Sequence, residues 1–190
     1  MISDHDFIKS STVPGPTKEE IRCLVLCKSQ LSSQDIVVDI GCGTGGLTLE
    51  FAKRTSQVYS LDRNPEAINL TSKNLEKHGL KDRVRLICGD AKEEMDKLPD
   101  FNVLMIGGSG GDLDLLIEKG YNKLKNNGRI IITAILLETA LDAIEKLKKF
   151  DMDMEVINAS ISRGKIIERG TMMLAENPIT LVMGVKRNYH

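Results

Sequence analysis

Five short runs of β-branched and aliphatic residues recur along the chain, and each is followed by a stretch with apolar residues at helical spacing. The runs are IVVDI (36–40), QVYSLD (57–62), RVRLIC (83–88), NVLMI (102–106) and RIIITA (129–134); the helical stretches lie near 46–54, 65–78, 91–97, 112–125 and 138–149. Runs apolar on both faces and separated by helices specify a parallel sheet covered on both sides. After the last helix the rhythm changes. Residues 153–163 and roughly 171–186 read as two strands with no helix between them, an antiparallel pair closing one edge. The expected fold class is α/β: a doubly wound, mostly parallel sheet with a C-terminal antiparallel hairpin.

The 190 residues, 41% hydrophobic and 28% charged, suit one domain with a substantial core. Within that single domain (1–190), residues 1–34 read as an N-terminal arm and helix, 35–150 as the βα units and 151–190 as the hairpin region. The arm ends in VPGP, and Thr17, just before KEEIRCLVLCKSQL, is expected to cap the first helix. The 26 basic and 27 acidic residues nearly cancel, which argues against a nucleic-acid or anionic-membrane partner. MISDHDFIKSS lacks the apolar core of a signal peptide and no apolar run could span a bilayer, so a cytoplasmic location is expected. Four cysteines (Cys23, Cys27, Cys42, Cys88) then read as reduced thiols. Cys23 and Cys27 sit one helical turn apart with no histidine beside them, so no metal site is assigned.

The chemistry starts where the first run ends, in VVDIGCGTGGLTLE. Glycines let a backbone take positive φ and approach a ligand closely, and a strand–glycine–helix turn faces the carboxyl ends of the strands, where open α/β sheets bind ligands. Read as G-x-G-x-x-G (Gly41, Gly43, Gly46), the turn fits a dinucleotide; read as G-x-G-x-G (Gly41, Gly43, Gly45), it fits S-adenosylmethionine. Asp39 bears on the choice. A carboxylate there disfavours a pyrophosphate and favours an ammonium and a sulfonium, although it can equally hydrogen-bond loop amides. Asp62, ending the second run, is placed to accept ribose hydroxyls, with Asn64 better placed than Asp62 to cap the following helix. After the third run, Asp90 can accept from an adenine amino group or cap a helix, and Ala91 offers a backbone N–H.

Three such features at successive strand ends resemble the class I S-adenosylmethionine-dependent methyltransferases, whose first motif looks like VVDIGCGTG here. That likeness implies a seven-stranded Rossmann-like methyltransferase sheet. Further segments are similar to a narrower family, the decarboxylating cobalt-precorrin-6B C15-methyltransferases of anaerobic cobalamin biosynthesis: VPGPTKEEIRCL (13–24), VDIGCGTGGLTLE (38–50), DRNPEA (62–67), GGSGG (107–111), GRIIITAILLET (128–139) and RGTMM (169–173). The resemblance implies methyl transfer to C15 of a tetrapyrrole, a corrinoid precursor, with loss of carbon dioxide from the ring C acetate. It also implies a homo-oligomer, a tetramer. Carried over by position, the cofactor contacts are Thr17, Gly41, Cys42, Gly43, Thr44, Gly45, Asp62 and Ala91, leaving Gly46 to let its helix pack on the sheet.

For the acceptor, the GGSGG loop around Gly108 is flat enough to admit a planar ring, in place of the Asn/Asp-Pro-Pro-aromatic run common in enzymes that methylate nucleic-acid amines. Substrate carboxylates call for cations, and Arg163, Lys165 and Arg169 share one parity of a strand-like stretch if that strand is unbroken. No catalytic base is assigned: a nucleophilic meso carbon needs proximity and in-line geometry, and His78 and Glu138 lie near helix ends. A class I methyltransferase acting on RNA or another small molecule, a nicotinamide-dependent dehydrogenase and a non-catalytic sensor of the methyl donor are the rival readings.

Overall fold

The computed structural model describes residues 1–187, so the end of the expected 151–190 segment lies outside the described residues. The chain alternates as its patterns require: α1 (Glu19–Ser29), β1 (Val37–Ile40), α2 (Gly46–Ala52), β2 (Val58–Asp62), α3 (Pro65–Lys77), β3 (Val84–Cys88), α4 (Ala91–Glu94), β4 (Phe101–Ile106), α5 (Leu113–Lys123), β5 (Leu124–Ala134) and α6 (Leu137–Lys149). Four strands follow: β6 (Asp153–Ala159), β7 (Ser162–Ile167), β8 (Gly170–Ala175) and β9 (Ile179–Val185). The main sheet has seven strands in the order β3-β2-β1-β4-β5-β9-β6. The first five are parallel, and β9 runs antiparallel to both of its neighbours.

Alternation along each strand divides the core into two layers. Val38, Ile40, Leu104, Ile106, Ile130 and Ile132 pack with Leu116, Ile117, Ala143 and Leu147 of α5 and α6. Val37, Val103, Met105 and Ile131 pack on the opposite face with Ile21, Val25, Leu49, Phe51 and Leu75 of α1, α2 and α3. The sheet is therefore doubly wound, and its order reverses between β1 and β4.

The C-terminal hairpin differs from expectation in one respect. The strands expected over 153–163 and 171–186 do not pair directly along their length. Only β6 and β9 do, while the intervening residues form a separate two-stranded ribbon, β7–β8. Pro178 supplies the reason, because a residue without an N–H cannot carry β8 onward into the ladder of β9. Strand β5 starts earlier than its apolar run, at Leu124, where it pairs with Phe101 across a register shift.

The N-terminal arm is tied to the body by charge. Arg22 of α1 is wholly buried; it donates to the carbonyls of Thr17 (2.8 Å) and Ile2 (2.9 Å), to Glu50 (3.1 Å) and to Asp4 (2.6 Å). Glu50, equally buried, also accepts from the Ile2 amide at 2.6 Å and from Arg54 at 3.1 Å. This corrects the expected role of Thr17: α1 begins at Glu19, Lys18 holds the N-cap position without a side-chain bond, and the Thr17 carbonyl is engaged by Arg22 instead.

A second buried carboxylate, Asp39 of β1, accepts from the Thr48 hydroxyl at 2.6 Å and so joins α2 to the sheet. Burial pushes its carboxyl up to about 6, against the Thr48 hydrogen bond and with the help of neighbouring Asp62.

Each anchor generates a prediction. Breaking a buried ion pair from one side strands the other charge, so Glu50→Leu is expected to cost about 3–5 kcal/mol in denaturant unfolding and to expose the arm to proteolysis. Arg22→Met added to it should recover much of that loss. The raised pKa of Asp39 means that folding favours its protonated form. The penalty for ionising it is complete above about pH 6 and gone below about pH 4. Asp39→Asn is accordingly expected to exceed wild type in stability above pH 6 by up to roughly 3 kcal/mol, converging toward pH 4 in urea titrations; a difference independent of pH would contradict this.

Candidate functional site

A cavity of about 540 Å³ opens at the carboxyl ends of the parallel strands, where the order reverses between β1 and β4. Ligands of open α/β sheets settle in that crevice because the loops diverge there to opposite faces. Each strand contributes its terminal residues: Gly41–Thr44 after β1, Asp62 and Arg63 at β2, Gly89–Ala91 after β3, Gly107–Gly110 after β4 and Thr133 from β5. A further wall is the arm, Val13–Lys18, and Asp112, Ile135 and Ile179 also border the cavity.

The glycine turn is shaped by a close approach. Gly41 has φ +78°, and a Cβ there would lie 2.8 Å from the amide nitrogen of Gly108, so the β1 and β4 loops touch backbone to backbone. Buried side chains of α3 hold the turn from beneath: Thr71 donates to the Gly43 carbonyl at 2.9 Å and Asn74 to the Thr44 carbonyl at 3.0 Å. The same Asn74 donates to the Ile8 carbonyl (3.0 Å) and accepts from its amide (2.7 Å), so arm and turn share one anchor. Thr44 closes the arrangement by donating to Pro14 at 2.5 Å.

Asp62 is organised by two amides. Its oxygens accept from Gly43 N–H at 3.0 Å and Asn64 N–H at 2.9 Å, and each oxygen keeps acceptor capacity for a ligand hydroxyl. Asn64 caps α3 through the Glu66 amide at 2.9 Å, as the sequence suggested. Asp90 caps α4 through the Lys92 amide at 3.1 Å and also borders the cavity, so both of its readings coexist. That amide bond, followed by the Lys92 ammonium and more distant Arg63, holds the Asp90 carboxyl below the ordinary carboxylate range. Lys92 bridges Asp90 (3.4 Å) and Asp112 (3.3 Å) across the β3 and β4 loops.

Of the residues expected to contact cofactor, Thr17, Gly41, Cys42, Gly43, Thr44, Asp62 and Ala91 all border this cavity. Gly45 does not; at φ +89° it stands at the start of α2, against Leu49 and Thr71. Gly46 also departs from expectation. A Cβ on it would meet Pro16 and the Thr17 amide at 3.1 Å, so its close contact is with the arm rather than with the sheet. Asp39 is absent from the wall because its carboxylate turns under α2 toward Thr48, so it is not presented to the cavity as the sequence suggested. Burial, with Asp39 next in effect, pushes the pKa of the Cys42 thiol well up, so it stands at the cavity as a neutral thiol and not a nucleophile.

Gly108 borders the cavity, whereas Arg163, Lys165 and Arg169 do not. The unbroken strand that their shared parity required is absent: Arg163 and Lys165 lie on β7, and Arg169 falls in the turn before β8. Arg163 is engaged in ion pairs with Glu20 (2.6 Å) and Glu176 (2.7 Å), which tie the ribbon to α1. The cations at the cavity are instead Lys18 and Arg63, the latter laid against Gly110. Sequence reading also missed Arg22, Thr71 and Asn74. The last two carried a signal, being polar residues on the same buried stripe of α3 as Ala67, Leu70 and Leu75. His78 and Glu138 lie off the cavity.

Residues 15–186 match the precorrin methyltransferase domain family. A curated relative from Methanothermobacter thermautotrophicus, named a probable cobalt-precorrin-6B C(15)-methyltransferase (decarboxylating), is 50% identical over 96% of this chain and 95% of its own. A crystal structure described as precorrin 8W decarboxylase from Methanobacterium thermoautotrophicum superimposes with a TM-score of 0.94 at 49% identity, covering 97% of this chain and 99% of that one. A second, the precorrin-6y C5,15-methyltransferase of Geobacter metallireducens, gives 0.89 at 30% identity over 97% and 96%. With both its length and its strand-end loops accounted for by this match, the chain belongs to the precorrin methyltransferase family.

Proposed function

We propose that this protein is an S-adenosylmethionine-dependent methyltransferase of anaerobic cobalamin biosynthesis. It methylates C15 of cobalt-precorrin-6B and releases the ring C acetate as carbon dioxide. The observation that carries the reading is the cavity walled by Gly41–Thr44, Asp62 and Ala91 in a chain 50% identical to a relative of that name. A cytoplasmic setting fits its four free cysteines.

The residues present fit the methyl donor. Asp62 keeps lone pairs for ribose hydroxyls, Asp90 and the Ala91 amide suit adenine, and the Gly41–Thr44 turn leaves room for an aminocarboxypropyl arm, since a Cβ on Gly43 would meet nothing within 4 Å. Thr17 would close the wall from the arm. Bound there, S-adenosylmethionine supplies an electrophilic methyl group on a sulfonium.

The protein's own task is then positional. Gly107 and Gly108 present backbone without side chains where a flat acceptor must approach, and the pinned loops hold the two reactants in line. Charge balances without an added base. The acetate C–C bond breaks to carbon dioxide and leaves its electron pair in the conjugated ring; the new C15–methyl bond takes up one pair and delivers one positive charge. Desolvation inside the cavity favours loss of the carboxylate.

The ribbon supports the assembly expected for this family. Among the described residues β7 and β8 pair only with each other, and Ile166 (86% exposed), Met172, Met173 and Leu174 face solvent. A lone two-stranded hairpin is marginally stable in water, so ribbons of several copies are proposed to pack together in a homotetramer.

Incubation with labelled donor and cobalt-precorrin-6B should yield a product with one methyl gained and one carbon dioxide lost; saturable binding of NAD with none of S-adenosylhomocysteine would overturn the reading. Asp62→Ala should weaken S-adenosylhomocysteine binding by roughly 10- to 150-fold, the effect of about 1.5–3 kcal/mol from lost charged hydrogen bonds. Sedimentation should report a tetramer for wild type and smaller species for Met172→Glu/Met173→Glu, while a wild-type monomer would contradict the assembly.

A further inference from the structure

A second, shallower depression of about 180 Å³ adjoins the cofactor cavity and shares Gly107, Gly108, Ser109, Thr133 and Ile135 with it. Its outer rim is apolar and exposed. Ile135 is 68% exposed and Leu136 64%, and Leu137 and Leu141, one turn apart on α6, continue the surface. The inner stripe of α6, Ala140, Ala143 and Leu147, is already satisfied by the core, so these outer leucines contribute nothing to folding that polar residues would not. Contiguous exposed apolar surface next to a cavity marks a binding site.

The glycines of the shared wall add an independent observation. Gly108 does not sit in the left-handed region, and a Cβ built on it would meet nothing within 4 Å. Neither backbone conformation nor packing requires glycine there, in contrast to Gly41. The space that a side chain would occupy lies open between the two depressions.

Resting on the methyltransferase reading above, we infer that Ile135 and Leu136, with the Gly107–Ser109 backbone, form the platform on which the planar face of the tetrapyrrole acceptor lies. The apolar rim takes the conjugated face of the ring, and the shared wall opens its edge onto the cavity that holds the methyl donor. Discrimination for a large flat acceptor then resides in these residues and not in the cations of the β7–β8 ribbon.

The test compares wild type with Ile135→Ser/Leu136→Ser and with Gly108→Val. Binding of cobalt-precorrin-6B is followed by its absorbance, binding of S-adenosylhomocysteine by calorimetry, and mass by sedimentation. Because the changed side chains are exposed or open to solvent, the melting temperature should hold. Tetrapyrrole Kd and KM should rise at least tenfold in both variants, S-adenosylhomocysteine Kd should stay within twofold in Leu136→Ser alone, whose side chain lies outside the donor cavity, and Ile135→Leu/Leu136→Met should retain acceptor affinity. Unchanged tetrapyrrole Kd in the double variant overturns the platform, and if its mass falls at the same time, the patch is covered by a second copy of the chain. Failure of the reaction itself would show elsewhere: a wild-type protein that binds the tetrapyrrole but transfers no methyl refutes the activity while the platform stands.

Discussion

Arg22 occupies the interior between the arm and α2, a place usually filled by an apolar side chain, and its charge makes the arm part of the fold. A wholly buried guanidinium is tolerable only when its donors and charge are matched, and here the partners come from three places: Ile2 and Asp4 of the arm, Thr17 at the end of it, and Glu50 of α2. Satisfying one cation therefore draws both ends of an otherwise irregular segment onto the body. The cavity depends on this, because Val13–Lys18 is one of its walls.

The same logic extends inward. Asn74 joins Ile8 of the arm to Thr44 of the glycine turn, and Thr71 holds Gly43, so the loop that would meet the cofactor is fixed from below by buried amide and hydroxyl groups. Loops that must bind a small molecule with little reorganisation gain from such preorganisation. Backbone contact between Gly41 and Gly108 then sets the separation of the β1 and β4 loops, and with it the passage from the main cavity to the shallower depression.

Polar and apolar surfaces are segregated around that passage. Asp62 and Asp90, with the Asp112–Lys92 bridge, lie toward β2, β3 and the α5 entry, whereas Ile135 and Leu136 lie beyond β5. A cofactor rich in hydroxyl and amino groups suits the first region and a large conjugated ring the second. Arg163, which pattern alone offered to the substrate, is consumed in holding the ribbon to α1.

The periodicity of five apolar runs sufficed for the parallel sheet, because burial of both strand faces leaves a local mark in every run, and the convergence of Gly41, Gly43, Asp62 and Ala91 on one cavity was legible because strand ends must converge in such a sheet. Asn64 as a cap was equally local. Four features were not. The folding-back of β7–β8, the true role of Thr17, the burial of Asp39 under Thr48 and the placing of Gly45 off the cavity and of Gly46 against the arm each depend on which distant group arrives at that point. Local spacing records the period of an element and the chemistry of its ends. The partners of a charge or a carbonyl are set by contacts across tens of residues, such as Arg22 with Glu50 or Asn74 with Ile8, and these exist only once the chain has packed.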